Sequence, residues 1–233
     1  MIIDEYDPLD PIVAEAQMVG LTSLLPAGAH VLDLGCGDGR VAVPLAEQGH
    51  RLTALDNDPE ALVACAGRAR DRGVDLTLVE ADATGAWDVE GPEGGWDAIL
   101  CLGNTFMTFT DPALALAIVE QAARRLRPGG AFCIDDIPGL HWPEVAEGNW
   151  ATGLSPDDQL QMVWAEDDAV FTLRQGDAVD PDVWQLVEGD RLFRLWSGDG
   201  LWLLARAAGL SAPARGVGGG LLVMHRPDDE ASG

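Results

Sequence analysis

The residues from 31 to 40, VLDLGCGDGR, combine an apolar run with three glycines at alternate positions, 35, 37 and 39. Glycine has no Cβ atom and adopts positive φ angles readily, so a ligand can approach the main chain of such a loop closely. Apolar sequence with helical spacing follows. The first amides of a helix have no backbone partner and lie at the positive end of the helix dipole. The pattern therefore predicts a site for a nucleotide-like ligand.

The glycine spacing distinguishes between nucleotide ligands. A dinucleotide fingerprint of the form G-x-G-x-x-G requires its third glycine at position 40, where this chain has Arg40. The chain also contains no lysine, so it has no Tyr-x-x-x-Lys set for hydride transfer. An NAD-dependent oxidoreductase is therefore a disfavoured alternative, and an ordinary strand-to-helix turn is a second one.

Polar residues follow three later apolar runs, and each run has the character of a strand. These strand ends carry Asp56 with Asn57, Asp82 with Ala83, and the sequence Leu102, Gly103, Asn104. In an open parallel sheet, ligands bind in the crevice at the carboxyl ends of the strands. We therefore expect these residues to lie near the glycines, where a carboxylate at position 56 can accept hydrogen bonds from both hydroxyls of a ribose.

Residues 28–136 resemble class I S-adenosylmethionine (SAM)-dependent methyltransferases, and residues 197–226 resemble them loosely. In that family an acidic residue precedes a G-x-G-x-G loop, and here Asp33 precedes the glycines. The turn of residues 127–130, RPGG, matches the turn before the fifth strand of that fold. The resemblance implies SAM as cofactor. The cofactor contacts it implies are Asp33, Gly35, Cys36, Gly37 and Arg40 in the loop, Asp56 and Asn57 at the ribose, Asp82 and Ala83 at the adenine, and Leu102 and Gly103 facing the cofactor.

The fourth strand end, residues 102–106, resembles the variant found in N-methyltransferases of glycine-like amines and amino sugars. This implies a small-molecule amine as acceptor, with Asn104 reaching the methyl group or the substrate; an asparagine there can equally cap the next segment. Transfer to a hydroxyl or carboxylate oxygen is the runner-up. A non-catalytic SAM-binding module also remains open.

Methyl transfer to a neutral nucleophile needs a base only when the acceptor must lose a proton. The candidates near the crevice are Asp135, Asp136, His141 with its neighbour Trp142, and Tyr6; of these we assign Asp136 and His141, with Asn104, to the catalytic set. The adjacent aspartates could also bind a hard cation through carboxylate oxygens. Asn104, however, occupies the position where such a site would need another carboxylate, so we expect no metal.

Alternating strand and helix patterns position these residues. The alternation predicts the α/β class, with a mostly parallel sheet and an antiparallel β insert between strand 5 and the last helix. The resemblance implies that this is the Rossmann-like class I methyltransferase fold, with a seven-stranded sheet. The predicted strands of the core are 30–34, 51–55, 75–79, 96–102, 131–135 and 220–226, its helices are 11–25, 40–48, 60–72, 112–126 and 197–208, and the insert has strands at 159–164, 169–174, 183–187 and 191–196.

The predicted organisation has four parts: a SAM-binding core at 1–137, a substrate cap at 138–196, the last helix and strands at 197–226, and a disordered tail at 227–233. The cap lies where inserts on such scaffolds determine specificity. It is rich in tryptophan, which can line a pocket or pack a small core. The tryptophans are Trp142, Trp150, Trp164, Trp184 and Trp196.

Charge and composition restrict the partners. The formal net charge is −25, from 39 acidic residues against 14 basic ones, all arginine. Because no basic stripe is available to neutralise phosphates, we expect a small-molecule substrate and no nucleic-acid or membrane partner. The four cysteines lack C-x-x-C spacing, which argues against zinc or a disulfide framework. We expect a cytoplasmic monomer or homodimer.

Overall fold

The computed structural model describes residues 11–143, 153–155 and 157–228. Its core is a seven-stranded sheet with helices on both faces, and a separate three-stranded sheet forms the cap. In chain order the elements are α1 (Pro11–Leu24), β1 (His30–Leu34), α2 (Ala42–Glu47), β2 (Arg51–Asp56), α3 (Pro59–Arg72), β3 (Thr77–Glu80), β4 (Trp96–Cys101), α4 (Pro112–Arg125), β5 (Leu126–Asp135), α5 (Ile137–Leu140), β6 (Leu160–Trp164), β7 (Val170–Gln175), β8 (Leu192–Arg194), α6 (Gly198–Ala207), β9 (Ala214–Arg215) and β10 (Leu221–His225).

The strand order of the main sheet is β3-β2-β1-β4-β5-β10-β9. Strands β1 to β5 pair in parallel, whereas β10 pairs antiparallel with β5 and with β9. The chain builds outward from β1 to β3 and then returns to the other side of β1 with β4. This reversal opens a crevice at the carboxyl ends of β1 and β4. The predicted fold class is confirmed, and β9 is a strand that the sequence pattern did not predict.

Local chemistry explains several boundaries. Asp58 and Asp111 each accept a hydrogen bond from an amide in the first turn of α3 and α4, and a proline follows each of them. Gly73 ends α3 in a left-handed conformation, with φ at 68°. Helix α2 is shorter than predicted because the turn after the glycines continues through Val41.

Two predicted features are wrong. Residues 127–130 lie inside β5, not in a turn before it, and the pairing register with β4 shifts between Trp96 and Ala98 to accommodate them. The predicted strand at 183–187 is irregular. Its carbonyl groups accept hydrogen bonds from side chains: the Arg174 guanidinium binds the carbonyls of Val183 and Gln185. These carbonyls are therefore held without a neighbouring strand.

The cap contains the antiparallel sheet β6-β7-β8. Helix α4 packs against α6 on one face of the main sheet, and α2 contacts α3 near its other side. Within the ranges given above, no helix has both the length and the apolar character required to cross a bilayer. Tyr6, Trp150 and residues 229–233 of the predicted tail lie outside the described residues.

Candidate active site

A cavity of about 180 Å³ lies at the carboxyl ends of β1 and β4. Two segments enclose most of it: the glycine loop, residues 35–39, and the segment that follows β4. Arg40 and Val41 extend the first side, and Thr105 extends the second. Seven of the predicted cofactor residues line the cavity, namely Asp33, Gly35, Cys36, Gly37, Arg40, Leu102 and Gly103.

The three glycines of the loop serve different purposes, although all have positive φ angles. A Cβ atom at Gly35 would lie 2.5 Å from the Thr105 side chain, and one at Gly39 would lie 2.6 Å from the Cys65 sulfur. Only beside Gly37 is the position of a Cβ atom open, with no atom within 4 Å. Gly35 and Gly39 thus allow neighbouring segments to pack closely, and Gly37 leaves main chain available to a ligand.

Asp56 shapes the glycine loop from the end of β2. One carboxylate oxygen accepts from the Gly37 amide at 2.8 Å, and the other accepts from the Asp58 amide at 3.0 Å. A carboxylate oxygen has two lone pairs, so each oxygen can accept one more hydrogen bond. Asn57 beside it is exposed.

Asp82 and Ala83 follow β3, two strands away from β1 in the sheet order. The Asp82 carboxylate accepts from the Thr84 amide at 2.8 Å, which fixes the turn. The Ala83 carbonyl accepts from the Trp87 indole at 2.7 Å. Neither residue lines the cavity. Both lie beyond Asp56 in the strand order, where a ligand longer than the cavity would extend.

Asp33 and Arg40 bring opposite charges to the same cavity. Asp33 is buried, and this burial raises the pKa of its carboxyl group to about 7, although Arg40 lowers it and Asp56 raises it further. The Arg40 guanidinium donates one hydrogen bond, at 3.2 Å, to Oε1 of Gln17. A guanidinium carries five N–H groups, so others remain for a ligand.

Asp135 organises the other side of the cavity. This fully buried carboxylate accepts from the amides of Asn104 at 2.8 Å and Gly103 at 3.2 Å, and from Nε2 of Gln17 at 2.7 Å. Burial nevertheless raises its pKa above the ordinary value. Sequence patterns did not identify Gln17, which lies on α1 far from these partners in the chain.

Asp136 does not line the cavity, and its place in the catalytic set stays a prediction. Its carboxylate accepts from Nε of Arg215 at 2.6 Å and from the Gly139 amide at 3.0 Å. It lines a second depression, together with Trp202. Because Asp135 and Asp136 diverge, they do not form a shared cation site, and the described part of the chain contains no cluster of three or more His, Cys, Asp or Glu side chains suited to a metal.

His141 and Asn104, the other two predicted catalytic residues, lie together. Nε2 of the ring is 3.1 Å from Oδ1 of the amide. Burial lowers the pKa of His141, so the ring is neutral at neutral pH. An amide oxygen only accepts, so Nε2 donates and the free lone pair is on Nδ1. The alternative in which the Asn104 side chain caps the following turn is wrong, because it makes no capping hydrogen bond.

The tryptophans of the cap divide into two groups. Trp196 is buried against Phe106, with ring centroids 5.7 Å apart, and Trp164 lies 4.8 Å from Phe171. These two pack the core of the cap and its contact with the sheet. Trp142 and Trp184 are exposed, and Trp142 donates to the carbonyl of Trp196 at 3.1 Å.

Comparisons with known proteins agree with this geometry. Residues 31–130 match the family model described as a methyltransferase domain. A ubiquinone biosynthesis O-methyltransferase from Xylella fastidiosa is 33% identical over 138 residues, covering 58% of this chain and 53% of that protein. A glycine N-methyltransferase from Rattus norvegicus is 33% identical over 134 residues, covering 52% and 44%. The chain thus spans about half the length of these relatives.

The fold as a whole is also found among solved structures. An S-adenosylmethionine-dependent methyltransferase from Clostridium acetobutylicum superposes with a TM-score of 0.69, at 13% identity, covering 97% of this chain and 96% of that one. At this identity the likeness shows the fold. Residues 31–130 match a methyltransferase domain, and the described chain as a whole has the Rossmann-like fold of that solved methyltransferase.

Proposed function

We propose that this methyltransferase domain binds SAM in the cavity and transfers its methyl group to the nitrogen of a small-molecule amine. The observation that carries the proposal is the pair of opposite charges beside the open main chain of Gly37. The spare N–H groups of Arg40 suit the carboxylate of an amino acid, and the carboxyl of Asp33 suits its ammonium group. The methionine part of SAM has both groups, whereas NAD has no such amino-acid end.

The rest of the cofactor would follow the ends of the strands. Asp56 has spare lone pairs for the two ribose hydroxyls, and Asp82 with the amide of Ala83 would contact the adenine edge. Leu102 and Gly103 would border the sulfonium from the opposite side. When bound, SAM supplies an electrophilic methyl group and leaves as S-adenosylhomocysteine. The contribution of the chain is mainly to align and desolvate the reactants, which in well-oriented models is equivalent to roughly 7–11 kcal/mol.

The pair of Asn104 and His141 would supply the base that an amine acceptor needs. An amine is protonated in water at neutral pH and must lose that proton before it can attack the methyl carbon. The neutral ring of His141 has a free lone pair on Nδ1 that can take it. Asn104 holds the ring by its other nitrogen. An oxygen acceptor is the second candidate, because O-methyltransferases are also among the relatives of this chain.

A panel of matched amines and alcohols, incubated with SAM that carries a labelled methyl group, tests the acceptor. We expect label in amines, and we expect His141→Gln to lower the transfer rate by about 10²-fold or more, in the range for loss of a positioned base. His225→Gln, at an exposed position at the end of β10, is the matched control. Label in alcohols alone would contradict the assignment to nitrogen, and binding of SAM without any transfer would favour a non-catalytic module.

We also propose that the acceptor is not a nucleic acid and that the protein acts in the cytoplasm as a monomer or homodimer. The net charge of −25 opposes association with a polyanion. The electrophoretic mobility of RNA and DNA in the presence of the protein tests whether it binds nucleic acid. Light scattering, which gives its mass in solution, tests whether it is a monomer or a homodimer. A shifted nucleic-acid band at physiological salt would contradict the first proposal.

A further inference from the structure

Gln17 is a polar side chain at the centre of the fold that the proposed mechanism has not used. It lies on α1 and is fully buried, with 0% of its surface exposed. Its amide nitrogen donates to Asp135 at 2.7 Å and to the carbonyl of Gly220 at 3.1 Å, and its amide oxygen accepts from Arg40 at 3.2 Å. Gln17 therefore connects the arginine of the cofactor loop to the carboxylate behind Asn104.

Helix α1 reaches this position because two glycines allow a close approach. A Cβ atom at Gly20 would lie 2.9 Å from the carbonyl oxygen of Val217 and equally close to the Leu221 side chain. A Cβ atom at Gly220 would lie 3.2 Å from Cγ of Gln17. Larger side chains at either position would move α1 away and lengthen the hydrogen bonds of Gln17.

The segment that Asp135 holds has an unusual backbone. Gly103 has a φ of 72° and Asn104 a φ of 62°, and a left-handed conformation is costly for a residue with a side chain. Both amides donate to Asp135, which offsets that cost. The conformation of Asn104 in turn directs its side-chain oxygen toward His141. The geometry of Asn104 thus depends on Gln17, which holds the Asp135 carboxylate in place.

We infer that Gln17 is a positioning residue that fixes Arg40 and the Gly103–Asn104 segment relative to each other. Its functional consequence rests on the proposed function: Arg40 would hold the carboxylate of SAM while Asn104 lies at the methyl end. Glutamine suits this role because its amide donates and accepts at once. A glutamate carboxylate could accept from Arg40 but could not donate to Asp135, and a methionine could do neither.

Amide hydrogen exchange in the ligand-free protein tests the positioning directly. Gln17→Met keeps the approximate length and the apolar packing but removes all three polar contacts. We expect exchange at Gly103 and Asn104 to become about tenfold faster, as for the loss of one hydrogen bond of about 1.4 kcal/mol, with no comparable change in α4. Thr22→Val is the matched control, since it removes an exposed hydrogen bond from the same helix to Gln48. Unchanged exchange at residues 103 and 104 would overturn the inference.

Arg40→Met keeps the inference testable if Gln17→Met does not fold. Arg40 is half-buried and makes its hydrogen bond to Gln17, so its removal frees the amide oxygen of Gln17 to rotate. We expect about threefold faster exchange at residues 103 and 104, as part of the same hydrogen-bond free energy is lost. If residues 103 and 104 exchange at the wild-type rate in Arg40→Met, Gln17 does not connect Arg40 to this segment.

Titration with SAM separates this inference from the proposed function. If the wild-type protein binds SAM, we expect Gln17→Met and Arg40→Met to be non-additive in SAM affinity by about threefold or more, as expected for residues in one network. Additive effects would overturn the functional part of the inference. If the wild-type protein binds no SAM, the proposed function fails, whereas the exchange rates still decide whether Gln17 positions residues 103 and 104.

Discussion

The cofactor side of the crevice and the cap differ in the polar contacts that side chains make with their main chain. At the crevice, carboxylates accept from main-chain amides: Asp56 holds Gly37, and Asp135 holds Asn104. In the cap, the side-chain donors of Gln161 and Arg174 bind main-chain carbonyls. The first arrangement fixes the loops that face the ligand, whereas the second fastens an irregular loop to a small sheet. This difference predicts that the two regions can be disrupted separately.

The largest effect on stability should come from Arg174→Met in the cap. Arg174 and Asp190 are paired at 2.8 Å with side chains only 6% and 8% exposed, so the substitution leaves a buried carboxylate without its partner. We expect the free energy of unfolding, measured in urea, to fall by about 3–5 kcal/mol. SAM affinity of the folded variant should stay within about twofold of wild type, since every group that hydrogen-bonds to Arg174 belongs to the cap. A large drop in SAM affinity would show that the cap and the cofactor side are coupled.

Asp135→Ala should produce a slightly smaller loss of stability but affect the cofactor side. The substitution leaves three donors, from Gln17, Gly103 and Asn104, without their acceptor. We expect a loss of about 3 kcal/mol in urea unfolding, because each unpaired buried donor costs roughly 1–3 kcal/mol and the segment can relax. SAM binding should weaken as well, in contrast to Arg174→Met. If Asp135→Ala binds SAM as tightly as wild type does, the contrast between the two regions is wrong.

Asp56→Ala should affect binding more than folding. Asp56 lies at the carboxyl end of β2, and its substitution removes both the proposed ribose contacts and the hydrogen bond to Gly37. We expect SAM affinity, measured by calorimetry, to fall by at least about tenfold, or about 1.4 kcal/mol. Asn57→Ala, an exposed neighbour, is a useful comparison, and equal effects of the two substitutions would argue against a specific role for Asp56.

The pH dependence of SAM binding should show the smallest effect, and its sign follows from Asp33. The folded pKa of about 7 is above the ordinary 3.8, so the contribution of Asp33 to stability is present below pH 3.8 and is lost as the pH rises toward 7. An ammonium group of SAM favours the ionised carboxylate, so SAM affinity should rise as the pH increases toward about 7 and level off above it. The slope should be at most about tenfold per pH unit and should be absent in Asp33→Asn. If Asp33→Asn shows the same slope, a group other than Asp33 causes the pH dependence of SAM affinity.

The sequence predicted those parts of the molecule whose signal is local. The glycine loop and the strand end at Asp56 can be recognised within a few residues of chain. The α/β class followed from the alternation of such segments and the seven-stranded sheet from the family resemblance, and both are confirmed. The roles of the site residues remain predictions, although the structure places seven of them around one cavity.

Long-range polar contacts could not be predicted in this way. Gln17 occupies a helical segment whose pattern looks apolar, and Asp135, its partner, lies 118 residues along the chain. Both Asp135 and Asp136 are expected near the crevice because they come at the end of the fifth strand, but consecutive residues at a strand end point to opposite faces of the sheet. The strand predicted at 183–187 does not form. Its carbonyls accept from side chains of β6 and β7, which a local pattern cannot identify.

Calorimetric titration with SAM, S-adenosylhomocysteine and NAD tests the central claim most directly, namely that the cavity at the glycine loop is built for an amino-acid-bearing nucleoside. We expect both SAM and S-adenosylhomocysteine to bind, and we expect NAD not to compete with them. Tight binding of NAD, with no response to either of the other two compounds, would contradict it.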